Sequence, residues 1–177
     1  MNSMPTNEAE LDAVLALVQK HVRQKEMAEA LAVCDSLIAN EATRLAGYRE
    51  RAEVRLAMHK PDLAAEDLRS VVDLGSDEPA DFHALGIVYL KLGRPRDAAN
   101  VFASAIDLGE REGFHYYTNS ALFHRAEAYR RAGLMKAARA DAERLPTAYE
   151  CFIAPDGVQT KEQLLQRLER ESPRHRS

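Results

Sequence analysis

Six histidines, His21, His59, His83, His115, His124 and His175, and two cysteines, Cys34 and Cys151, are the side chains here best suited to hold a metal or move a proton. A helical zinc pair needs two such ligands three or four positions apart, and no two of these histidines have that spacing. His115 and His124 flank an aromatic stretch and approach each other only if a helix bends between them. The sequence has no HExxH, no CxxC, no phosphate-cradling glycine loop and no G-x-S-x-G elbow. The expectation is therefore no metal, no cofactor and no catalytic residue, with the histidines as ordinary polar side chains.

Two other groupings could bind rather than react. Phe114, Tyr116 and Tyr117 crowd into residues 113–118 of a chain that is only 6% aromatic. They either form an exposed recognition loop or, as expected here, extend the next helix backwards and pack into the protein. Arg125, Arg130, Arg131, Lys136, Arg139 and Arg144 make a basic row that could suggest RNA. Glu127, Asp141 and Glu143 interrupt it, so a solvated helix surface is the better reading.

The elements that carry these residues follow from periodicity. Phe82, Leu85, Gly86 and Tyr89 recur at spacings of three and four and share one helix face. Gly93 stops that helix and Pro95 begins another, whose apolar face carries Ala98, Val101, Phe102, Ala105 and Ile106. Moving back 34 residues places Tyr48 on Phe82, Ala52 on Gly86, Pro61 on Pro95, Ala64 on Ala98 and Leu68 on Phe102. A second step of 34 reaches Val14, Val18, Met27, Ala30 and Cys34, and a forward step of 40 reaches Leu122, Ala126, Tyr129, Gly133, Ala138 and Ala142. Four copies thus hold alanine at one point of the second helix.

This pattern of large, small and aromatic positions resembles the tetratricopeptide repeat (TPR) family. The resemblance implies an all-α, right-handed α-solenoid of about four helical hairpins, at 11–44, 45–78, 79–112 and 119–152, with an insertion at 113–118. It also implies that the first helix of each hairpin lines a concave wall. By repeat register the wall takes Arg49 and Glu53 from the second copy, His83, Ile87 and Leu90 from the third, and Phe123, Glu127 and Arg130 from the fourth, with Phe123 the strongest anchor if exposed. The family's carboxylate clamp is not reproduced, since Leu15, Gln19, Glu50, Ala80 and Ala84 stand at its places. The implied role is non-enzymatic: an adaptor or scaffold whose groove takes a helix, loop or peptide of another protein, with self-association possible. A protein that blocks one partner enzyme, as immunity or antitoxin proteins do, is the alternative, and an RNA-binding or enzymatic role stands below both.

After the fourth copy, Tyr149, Phe152 and Ile153 precede a turn signal at Pro155, Asp156 and Gly157. Thr160 with Gln163 makes a capping box, which predicts a helix over about 160–170 that covers the last hairpin with Leu164, Leu165 and Leu168. The folded domain is expected over 9–170, between loose ends at 1–8 and 171–177. A chain of 177 residues that is 46% hydrophobic and 29% charged can bury a substantial core. A net charge of −4 gives no general basic surface for nucleic acid. No stretch reaches eighteen uncharged apolar residues and MNSMPTNEAELD lacks the layout of a signal peptide, so a cytoplasmic protein with reduced cysteines and no membrane contact is expected.

Overall fold

The computed structural model describes residues 8–153 and 157–171. Most of the expected loose ends, and the turn residues Pro155 and Asp156, lie outside them. Glu8 and Glu171, expected in those ends, are helical. Two compact units divide the chain, Met1–Ser76 and Asp77–Ser177.

The first unit holds α1 (Glu8–Gln24), α2 (Met27–Ala39), α3 (Arg44–Ala57) and α4 (Pro61–Asp73). Each helix packs on the next, and α1 also meets α3. Val18, Ala30, Cys34 and Val54 form a core that Val22, Met27, Leu31, Val33 and Met58 surround. The second unit holds α5 (Pro79–Lys91), α6 (Pro95–Glu112), α7 (His115–Arg131), α8 (Met135–Arg144), β1 (Glu150–Ile153), β2 (Gly157–Thr160) and α9 (Lys161–Glu171). Here too successive helices pack, α5 also reaches α7, and α9 lies on α8 and α7.

One turn joins the two helices of all four hairpins. Lys25, His59, Gly93 and Gly133 occupy the same place in the repeat and all have positive φ, 62°, 57°, 68° and 77°. The N–H of the following residue then returns to the first helix: Glu26 to His21 O, Lys60 to Arg55 O, Arg94 to Tyr89 O and Leu134 to Tyr129 O, at 2.8–2.9 Å. This is the left-handed helix stop that glycine adopts at least cost, and the first two hairpins use it without glycine. The same connecting residue opens the second helix by accepting the N–H of Ala30, Ala64, Ala98 or Ala138. These four alanines are fully buried, which is why the sequence repeats them. Gly86 has a related reason: a Cβ there would stand 2.5 Å from Phe102 Cε1, inside any tolerable contact.

The repeats also alternate in a way that the sequence reading missed. Arg51 Nη2 donates to Asp67 Oδ1 at 2.7 Å between α3 and α4, and Arg125 grips Asp141 at 2.7 and 2.8 Å between α7 and α8. Leu17 with Val33, and Leu85 with Val101, occupy the matching places of the first and third copies. The ion pairs sit deep, with Asp67 side chain 2% exposed. The basic row of the fourth copy is tied up the same way: Arg130 and Arg131 hold Glu127 at 2.7 and 2.8 Å, Arg130 also holds Glu171, and Arg144 holds Glu110.

The insertion lengthens both helices beside it, so that α6 and α7 run to 18 and 17 residues where α4 and α5 have 13. The expected backward extension is present. The expected packing holds for Tyr117, whose ring lies 6.3 Å from that of His83, while Phe114 and Tyr116 are exposed. In the tail, Thr160 N–H donates to Gln163 Oε1 at 2.8 Å and Gln163 N–H returns to Thr160 Oγ1 at 3.1 Å, the reciprocal box that starts α9. Leu164 and Leu168 are buried beneath it. A two-stranded antiparallel ladder over Glu150–Thr160 precedes it, where the sequence reading expected only a turn.

Candidate functional site

Within the second unit, α5, α7 and the β1 segment enclose a cleft with a cavity volume of about 580 Å³. His83, Ile87, Leu90 and Lys91 come from α5, while Tyr116, Ser120, His124, Glu127 and Arg131 come from α7. Tyr149, Glu150, Cys151 and Phe152 close it. The spacing of the α7 set, at steps of three and four, is one face of a helix. Four residues expected at the concave wall, His83, Ile87, Leu90 and Glu127, are among those lining it.

The other expected residues fall elsewhere. Phe123 is 0% exposed, with the His124 and Tyr149 rings each 6.0 Å away. It is part of the core and offers a partner no surface. Arg130 points to Glu127 and Glu171. Arg49 and Glu53 lie on α3 in the first unit, where Arg49 reaches Ser76 Oγ at 3.4 Å. Tyr116, Ser120, His124, Tyr149, Cys151 and Phe152 were not expected here. The signal available in the sequence was the histidine, serine and tyrosine series on one face of the fourth copy's first helix; nothing local pointed to the tail as a wall.

The floor of the cleft is polar but uncharged. Ser120 Oγ and His83 Nε2 are hydrogen-bonded at 2.8 Å, and His124 Nδ1 donates to Ser120 O at 2.8 Å. The two imidazoles meet edge to face, 5.1 Å between centroids, with the Phe102 ring against both. Burial, and then the proximity of His124, pull the His83 pKa down to about 3. Burial also lowers that of His124, against its bond to Ser120 O and the charge of Glu127. His83 and His124, and not His115 and His124, are the histidines that meet.

Glu127 has the opposite fate. Burial opposes its ionisation, yet hydrogen bonds from Arg130 and Arg131 outweigh it and hold the carboxyl below its usual range. Burial raises the Cys151 thiol and the Tyr149 hydroxyl, both of which lie within reach of Ser120. A thiol held protonated is a weak nucleophile, and an imidazole that titrates near 3 is a poor base at neutral pH. The floor is thus built to donate and accept hydrogen bonds, with Tyr116 and Phe152, 76% and 70% exposed, at its rim. Cys34 and Cys151 are both free and buried. Among the described residues, no cluster of histidine, cysteine and carboxylate side chains could hold a metal, and no helix is long and apolar enough to cross a membrane.

Residues 83–150, the third and fourth hairpins, match the tetratricopeptide repeat family model. No curated protein matches the chain in sequence. Among solved structures it is similar to a putative kinesin light chain with nearly identical TPR-like repeats from Podosopora anserina, at 20% identity and TM-score 0.64, over 79% of this chain and 75% of that one. The Yersinia enterocolitica type III secretion translocator chaperone SycD is similar at 15% identity and TM-score 0.53, over 78% and 90%. PcrH, solved in complex with the chaperone binding region of PopD, is similar at 16% identity and TM-score 0.52, over 78% and 98%. With the hairpin, its left-handed turn and its buried alanine repeated four times, and with this family match across two of the copies, the third and fourth hairpins match the tetratricopeptide repeat and the chain has the fold of tetratricopeptide repeat proteins.

Proposed function

We propose that this protein is a non-catalytic binding module that takes a segment of a partner protein in the α5, α7 and β1 cleft. The observation that carries the reading is a rim of exposed aromatics, Tyr116 and Phe152, over a neutral floor of buried hydrogen-bonding groups. Aromatic anchors around a desolvated centre are the usual energetic core of a protein interface, whereas the depressed His83 and raised Cys151 are poorly set for acid, base or nucleophilic work. PcrH, which shares the fold, is solved with a region of another protein bound. Arg49 and Glu53 of α3 are taken as a further contact pair on the first unit, where charge-assisted hydrogen bonds would add specificity.

The test is affinity capture from the native cell with the wild-type chain and with the Tyr116→Ala, Phe152→Ala double variant, followed by calorimetric titration of whatever only the wild type retains. A partner that binds the double variant at least about tenfold more weakly supports the cleft. Identical sets of captured proteins, with the variant folded by circular dichroism, would remove the cleft from consideration.

A further inference from the structure

The non-helical wall of the cleft is an unbroken run of four residues, Tyr149 to Phe152. Side chains of a strand alternate between its two faces, so consecutive residues can line one space only where the strand turns its edge toward it. The ladder says which backbone groups that edge carries. Lys161 N–H donates to Tyr149 O at 3.0 Å, with Glu150 opposite Thr160 and Phe152 opposite Val158. Antiparallel pairs alternate between bonded and non-bonded. Tyr149 and Cys151 therefore bond toward the second strand, and Glu150 and Phe152 turn their N–H and C=O groups away from β2. Among the described residues, none of β2 lines the cleft, so the edge beside it belongs to β1 alone.

Such an edge is a template for another extended chain. Here it runs beside Ile87, Tyr116 and the Phe152 ring, and the helical wall adds the exposed Lys91 at the C-terminal end of α5, while Arg131 at that of α7 is held by Glu127 at 2.8 Å. Resting on the protein-binding reading, we propose that the partner segment enters the cleft extended and pairs with β1 as a third strand, an apolar side chain against Ile87, Tyr116 and Phe152 and a carboxylate toward Lys91. Main-chain bonds would supply affinity and the alternate side chains specificity.

A displayed library of short random peptides, selected on the full chain and counter-selected on the Tyr116→Ala, Phe152→Ala variant, provides the probe. Each selected peptide is then made with single backbone N-methyl groups along its length. Strand addition predicts that methylating every second residue weakens binding about tenfold or more while the residues between are silent. The enriched sequences should carry an acidic residue, and Lys91→Glu should remove the preference for it. Phe152→Pro, which deletes an outward N–H without touching the ladder to β2, should lose binding beyond what Phe152→Ala loses. Selected peptides that ignore the methylation pattern, or that become helical when bound, overturn strand addition and leave the binding reading standing. A selection that enriches no cleft-dependent peptide overturns both.

Discussion

Arg125 and Asp141 show how much a single pair can decide. The guanidinium makes two hydrogen bonds to the carboxylate, and both side chains are largely buried. Removing one partner strands a charge in the interior, so Asp141→Ala should cost about 3–5 kcal/mol in denaturant titration. Arg125→Leu with Asp141→Val copies Leu85 and Val101 of the preceding repeat and should be near neutral or more stable than wild type, because well-packed apolar groups avoid the desolvation penalty. A double variant as unstable as the single one would show that the pair holds more than its own geometry. The histidines set a pH limit. His83 falls from 6.5 to about 3 on folding, so the unfolded chain binds more protons between those values and stability must drop as pH falls through that window. His124 moves the same way, and Glu127, lowered from 4.5, adds to the loss at the acid end. His83→Gln should flatten the upper part of the pH–melting curve, between about pH 6.5 and 4.5, if it folds as wild type at neutral pH.

At the scale of elements, helices and connectors were legible because a period of 34 residues repeats the same helix faces, and glycine or proline marks three of the four turns. What could not be read has physical causes. Lys25 and His59 take the left-handed turn against their own preference, held there by the returning N–H of Glu26 and Lys60. Each pays about 1 kcal/mol for that conformation, so His59→Gly should raise the melting temperature by a few degrees. Lys25→Gly should do the same in the first hairpin, and a drop in either would mean the side chain contributes something the turn does not. The strands escaped notice because Glu-Cys-Phe-Ile and Gly-Val-Gln-Thr are four residues each and lack a full alternation, so only their pairing makes them strands. With them went one wall of the cleft, since Tyr149 to Phe152 reach it through tertiary placement. Phe123 failed for a narrower reason: repeat register gives the turn of a helix and not the depth of a side chain, and the Tyr149 ring packs at 6.0 Å on a position that an earlier repeat could leave open.

For the whole molecule, the capping box and the two buried leucines of α9 make the tail structural. Deleting Gln159 to Ser177 removes the second half of β2 and all of α9, and uncovers the surfaces of α7 and α8 beneath Leu164 and Leu168. The truncated chain should self-associate or aggregate, which light scattering would report, and a stable monomer would show that the last hairpin needs no cover. Each of the two compact units also contains one free, buried thiol, Cys34 in the first and Cys151 in the second. Burial raises the pKa of Cys34 to about 12 and raises that of Cys151 as well, so neither should be modified quickly while its surroundings stay closed. Their rates of alkylation in the native protein are therefore two separate clocks, one per unit, that would time the opening of each half of the chain without any introduced label.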